Sequence, residues 1–76
     1  NPARDKLVIE FISPEITDIS ISLFNAQGDF IKDIYKGKSL KGYNHIDADL
    51  SNFSSGVYVY RLSYGDQHKN IMFVIQ

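Results

Sequence analysis

An antiparallel β-sandwich of about six strands is the fold class that this sequence predicts, and three observations carry it. Segments rich in β-branched and aromatic residues recur at regular spacing, separated by short clusters of Gly, Pro, Asn, Asp and Ser. Several of these segments alternate apolar and polar residues at period two, as half-buried strands do. No segment carries the 3.6-residue period of a helix, so the strands must bury their apolar faces against one another.

Seventy-six residues make one domain, and a chain of this size buries only about 60% of the surface that it exposes when unfolded. Hydrophobic residues at 43% and aromatic residues at 13% suffice for one core and argue against a disordered tail. Nine acids against eight bases, spread along the chain, give a net charge of −1. No basic field is present to hold nucleic acid by its phosphates. Without cysteine there is no disulfide, no thiolate catalysis and no cysteine-ligated metal. No apolar run approaches the roughly 20 residues of a membrane-crossing helix, so no transmembrane segment is predicted. The start lacks the apolar stretch of a signal peptide and lacks methionine, which reads as a fragment or the mature tail of a longer protein.

In order along the chain, residues 1–5 are an extended lead-in, because Pro2 fixes its own φ and biases Asn1 away from helix, and residues 6–76 are the sandwich. Residues 6–12 alternate, with Leu7, Ile9 and Phe11 inward and Val8 and Glu10 outward, until Ser13-Pro14-Glu15 breaks the strand. Residues 18–24 set Ile19, Ile21 and Leu23 against Ser20 and Ser22; a helix would scatter those three aliphatics, whereas a strand collects them on one face. Asn25-Ala26-Gln27-Gly28 is a turn, with Gly28 suited to positive φ, and it joins a third strand at residues 30–35 as a hairpin. The pairs Phe30-Ile31 and Ile34-Tyr35 obscure the period there and leave the inward face open. Residues 36–42, with two glycines and three lysines, are predicted to be a loop. Residues 43–50 form the next strand, with Ile46 and Ala48 inward and His45, Asp47 and Asp49 outward. A polar corner at residues 51–55 follows, anchored by Leu50 and Phe53.

The longest run of strand formers is residues 56–65, with a glycine at each end. Tyr58, Tyr60 and Leu62 share one face, and Val57, Val59 and Arg61 share the other. Burying Arg61 unpaired is costly, so the tyrosine face is assigned to the core, where a ring packs inside while its hydroxyl reaches a polar partner. After a turn at Gly65-Asp66-Gln67, a last strand over residues 68–75 is apolar on both faces through Ile71, Met72, Phe73, Val74 and Ile75. That pattern fits burial between layers or an adhesive edge, and an edge admits an edge-strand dimer.

Candidate chemistry is sparse. His45, Asp47 and Asp49 stand at i, i+2 and i+4 and present an imidazole and two carboxylates, a set able to hold a divalent cation. The plainer reading is the solvated face of a one-sided strand. Asp47-Ala48-Asp49-Leu50-Ser51-Asn52 begins like a calcium loop, but it lacks the sixth-place glycine, and Tyr58 stands where the bidentate acid belongs. Lys36, Lys38 and Lys41 suit an anion or a lipopolysaccharide phosphate, with a solvated loop as the plainer reading. No serine lies in Gly-x-Ser-x-Gly, no carboxylate pair is arranged for acid–base work, and His45 and His68 are too far apart in sequence for a metal signature. No catalytic residue, cofactor or metal is predicted, and the chain is read as not an enzyme. Tyr58, Tyr60 and Tyr64 would make a sugar-stacking platform if exposed, which supplies the alternative function of an accessory carbohydrate-binding or adhesive module.

The order of these pieces resembles the C-terminal sorting domain of the type IX (Por) secretion system, type A. Asn1-Pro2 resembles that family's opening, Leu7-x-Ile9 its first strand, and Ile21-Ser22-Leu23-Phe24-Asn25-Ala26-Gln27-Gly28 its hydrophobic strand, turn and glycine. Residues 46–50 resemble the strand leading to its dls-x-L-x-x-G-x-Y corner, which here reads Asp49-Leu50-Ser51-Asn52-Phe53-Ser54-Ser55-Gly56-Val57-Tyr58. Tyr60-Arg61-Leu62 and Gly65 continue it, and Lys69 before a closing aliphatic strand looks like the family's near-terminal lysine. Phe53 departs from the usual leucine, Asp29 from a common basic residue, and Asn70 follows Lys69.

The resemblance implies an immunoglobulin-like sandwich that acts as a cargo signal without enzymatic activity. The cargo domain would lie upstream in the same chain. The domain would fold transiently in the periplasm of a Gram-negative bacterium and be recognised by an outer-membrane translocon. A sortase-like cysteine protease would then remove it, near or before Asn1, as the cargo is secreted or attached to the cell surface. The residues expected to carry recognition are Gly56 and Gly65 as turn devices, Tyr58 as a core anchor, Lys69 as an exposed contact, and Ile71, Phe73 and Ile75 along the closing strand.

Overall fold

The structure is a computed structural model that describes residues 2–3 and 5–76; of the extended lead-in, Asn1 and Arg4 lie outside the described residues. Seven strands follow in chain order: β1 (Pro2–Ala3), β2 (Lys6–Ser13), β3 (Asp18–Asn25), β4 (Phe30–Lys38), β5 (Gly42–Asp49), β6 (Gly56–Tyr64) and β7 (Gln67–Ile75). One sheet has the order β1-β7-β6-β3-β4, and β2 pairs with β5 in the other. The six long strands pair antiparallel, and the two-residue β1 pairs parallel to the end of β7. No helix is present among the described residues, and the two layers make an immunoglobulin-like sandwich.

Alternation places the core. Leu7 and Ile9 of β2 and Ala48 of β5 meet Ile19, Ile21 and Leu23 of β3, Tyr58, Tyr60 and Leu62 of β6, and Phe73 and Ile75 of β7. Each of these sits at the inward step of its strand, as period two requires. Arg61 is turned outward, with its guanidinium 5.1 Å over the Phe24 ring and its Nε donating to Asn70 Oδ1 at 2.9 Å. The hidden period of β4 has a cause: the β3–β4 ladder shifts register between Ile21 and Ser22 and between Leu23 and Phe24. Such bulges break strict alternation. Ile31, Ile34 and Tyr35 pack against the core as a result.

Three expectations are corrected. Residues 36–42 are not one loop, because β4 runs on to Lys38 opposite Asp18, Ile19 and Ser20, and Lys38 Nζ reaches Asp18 Oδ1 at 2.9 Å. Gly37 leaves room there for the Tyr35 ring, whose hydroxyl would lie 3.1 Å from a Cβ at that position. Strand β7 starts at Gln67, which pairs with Tyr64 across a two-residue turn. Gly65 with φ +56° occupies its first position, as a type II′ hairpin turn prefers. Finally, β7 is one-sided. Phe73 and Ile75 face the core, whereas Met72 is 66% and Val74 40% exposed on the outer face of the sheet.

Two buried polar side chains close the gap that the shortened loop leaves. Asn44 Oδ1 accepts from Leu40 N at 2.7 Å, and its Nδ2 donates to the Leu40 and Gly42 carbonyls, both at 3.0 Å. Ser39 Oγ accepts from Thr17 N at 3.1 Å, and Ser39 N donates to the Thr17 carbonyl at 2.8 Å, tying the β2–β3 connection to the β4–β5 connection. Asn44→Ala, which removes three hydrogen bonds made by a buried side chain, is expected to lower unfolding free energy by roughly 1–3 kcal/mol. Phe73→Ala is expected to cost about 3–5 kcal/mol. Urea unfolding followed by circular dichroism measures both.

Candidate functional site

The corner that leads into β6 is built from its own residues upward. Asp49 ends β5, and its Oδ1 accepts from Ser51 N at 2.9 Å, the local side-chain turn for which aspartate is suited. This bond, assisted by the Ser51 side chain, holds the Asp49 carboxyl below its ordinary range. Leu50 then drops into the core, with its N–H donating to the Asp5 carbonyl at 2.8 Å, and Phe53 N donates back to the Leu50 carbonyl at 3.0 Å. The chain turns into β6 at Gly56, whose φ of +152° disfavours other residues.

Tyr58 locks this corner. Its hydroxyl donates to the Ser54 carbonyl at 2.8 Å, four residues upstream, the device known in Greek-key sandwiches as a tyrosine corner. Its ring meets Phe53 edge-on with centroids 6.2 Å apart and stacks on Phe73 at 6.0 Å. Tyr60 leans on the same Phe73 ring at 6.0 Å, and burial pushes its phenol above the ordinary range.

The seven residues that sequence reasoning singled out all lie on the β6–β7 hairpin, but they do not form one patch. Gly56, Tyr58, Phe73 and Ile75 are gathered at the corner end, where Gly56 pairs with Ile75 and Tyr58 with Phe73. Gly65 and Lys69 stand at the hairpin end, with Ile71 between, opposite Tyr60. Tyr58, Phe73 and Ile75 are buried, so they shape the hairpin and leave their backbone, not their side chains, for contact. Lys69 is exposed and lies opposite Leu62 on the inward side of the ladder.

What the sequence reading missed is the state of the β7 edge. The neighbour of β7 on its outer side is β1, which reaches only Val74 and Ile75. Residues 67–73 therefore have no strand beside them among the described residues. In a two-residue hairpin the closing pair, Tyr64 and Gln67, bonds inward, and antiparallel pairing alternates from there. His68, Asn70 and Met72 consequently direct their N–H and C=O groups outward.

Elsewhere the polar groups satisfy one another. On the outer face of the β2–β5 pair, Tyr43 Oη donates to Glu10 Oε2 at 2.6 Å, which raises the Tyr43 phenol, and lies 3.1 Å from His45 Nδ1. His45 Nε2 is 2.8 Å from Asp47 Oδ1, and Lys6 Nζ is 3.9 Å from Asp47 Oδ2. The row His45, Asp47, Asp49 is thus divided: the first two bond each other, and Asp49 serves the corner. Among the described residues no cluster of His, Cys, Asp or Glu is placed to hold a metal ion. Lys36 and Lys38 lie in strand β4, away from the short loop that carries Lys41. The tyrosine platform is absent as such, since Tyr58 and Tyr60 are buried and Tyr64 is 37% exposed. No helix among the described residues is long and apolar enough to cross a membrane.

The family model of the secretion system C-terminal sorting domain matches residues 1–76, the whole chain. No curated protein and no solved structure matches it.

Two outcomes follow from the corner. Tyr58→Phe is expected to destabilise the fold by about 0.5–1.5 kcal/mol, because the Ser54 carbonyl loses the hydrogen bond that closes the corner. The Asp49 carboxyl has a lower pKa folded than unfolded, so its stabilisation is present above the ordinary carboxylate pKa and is lost as pH falls through the folded value. The stability gap between wild type and Asp49→Ala should shrink on acidification, as measured by urea melts from pH 7 downward.

Proposed function

The chain belongs to the secretion system C-terminal sorting domain family of the type IX system, and we propose that it addresses a cargo to the outer-membrane translocon through its β6–β7 hairpin. A sorting domain implies a cargo in the same chain and delivery to the cell surface or the medium. The domain acts as a signal with no catalytic step of its own. It is read after folding in the periplasm and is removed by a sortase-like protease.

The whole-chain family match is the observation that carries the function, and the open β7 edge supports the route. A partner strand laid beside residues 67–73 gains affinity from backbone hydrogen bonds and specificity from alternate side chains. Gly56 and Gly65 set the two ends of the hairpin, and Tyr58, Phe73 and Ile75 hold it flat against the core. Ile71 and Lys69 give the recognised strand its inward side chains.

The test is to fuse residues 1–76 behind an exported reporter in a host that has the secretion system. Surface or medium delivery is expected; a folded fusion retained in the periplasm overturns the reading. Lys69→Ala should reduce export several-fold while leaving the melting temperature within about 4 °C, since a solvent-exposed substitution rarely changes stability by more than about 0.5 kcal/mol. A large fall in melting temperature would make Lys69 a structural residue instead.

A further inference from the structure

The outer face of the five-stranded sheet is apolar at its corner end. Val59 of β6 stands between Met72 of β7 and Phe24 of β3, and Phe24 meets Phe30 of β4 edge-on, with centroids 5.9 Å apart. This row crosses four strands without a charged side chain, and Phe30 and Met72 are 58% and 66% exposed. The next row carries charge. Ser22 of β3 is paired with Arg61 on one side and Asp33 on the other. Both charges lie on the outer face: Asp33 Oδ1 accepts from Ser22 Oγ at 2.9 Å, and Arg61 is fixed over the Phe24 ring with its Nε donating to Asn70. Two strand spacings, about 10 Å, hold them apart, and they form no ion pair with each other.

A sheet with opposite charges equally far on either side of its middle strand is complementary to itself. A half-turn about an axis laid along β3, between two such faces, sets Arg61 of each copy over Asp33 of the other. The same operation keeps every row at its own height, so Phe24 meets Phe24 and Val59 meets Phe30. One symmetry operation thus makes two ion pairs and a continuous apolar contact, as an isologous interface requires. It also aligns the strands of the two sheets, the usual arrangement for sheets packed face to face. The composition agrees, because phenylalanine, methionine and arginine are enriched at protein interfaces and lysine and glutamate are depleted. An anionic lipid surface or a nucleic acid would be matched by cations alone and repelled by Asp33.

We propose that this face binds a second copy of the chain, two-fold about β3, with Arg61 of each copy paired to Asp33 of the other. Because Arg61 is already held by Phe24 and Asn70, little side-chain freedom is lost on contact. A face of four long strands is only about 19 Å wide, which makes the dimer weak and concentration-dependent. The inference does not depend on the sorting function and leaves the β7 edge free.

Sedimentation equilibrium of the chain between about 10 μM and about 1 mM, the range of weak association, tests it. The average mass is expected to rise with concentration toward that of two chains. Arg61→Glu or Asp33→Lys alone turns both ion pairs repulsive and should weaken association about tenfold. The two substitutions together exchange the signs and should restore association, which separates lost complementarity from lost folding. Phe30→Ser, at an exposed position, should weaken association at low and high salt alike. A chain that stays monomeric across the range overturns the inference, and so does a dimer that ignores both charge reversals, including one joined through the β7 edge.

Discussion

The stacking of Tyr58 on Phe73 is the contact on which the rest of the molecule depends. The two rings lie directly opposite across the β6–β7 ladder, and Phe73 is only 1% exposed. In a domain this small the core is thin, so one aromatic pair is a large share of what separates folded from unfolded. The same pair fixes direction. With Phe73 inward, Ile71 and Ile75 must also point inward, and Met72 and Val74 must face out. The tyrosine hydroxyl, tied to Ser54, then carries that register into the corner and through Leu50 to the second sheet. A slip of one residue would turn every inward side chain of β7 into solvent.

The edges of the five-stranded sheet are treated differently. Strand β4 carries Lys32, Lys36 and Lys38 and two register shifts, the features by which natural sheets discourage further pairing. Strand β7 carries a lesser form of the same defence, since Lys69 stands exposed on its inward side, and β1 pairs with Val74 and Ile75. Under the proposed role, the outward peptide groups of His68, Asn70 and Met72 offer a partner strand a backbone-mediated contact. Small size suits this role, since the signal needs a register and an edge more than it needs a cavity.

Much of this was legible in the sequence. The alternation of Ile19, Ile21 and Leu23 and of Tyr58, Tyr60 and Leu62 assigned the core face directly, because period two has no other stable reading in a sandwich. The family was legible too, from the ordered motifs around Asp49-Leu50-Ser51 and Gly56-Val57-Tyr58. Lys36-Gly37-Lys38 was not, since its composition is that of a loop and only pairing with Asp18, Ile19 and Ser20 makes it a strand. Asn44 stands at an inward step two before Ile46, yet a polar residue there reads as surface until its three hydrogen bonds are seen. The open edge of β7 follows from sheet order, which local pattern does not encode.

Hydrogen–deuterium exchange at single amides tests most directly whether that edge is the address. In the free domain the His68, Asn70 and Met72 amides should exchange quickly while those of Ile71 and Phe73, bonded toward β6, exchange slowly. On binding the translocon component, the first three should become protected together. Formation of a stable complex that leaves all three as fast as before would contradict the account.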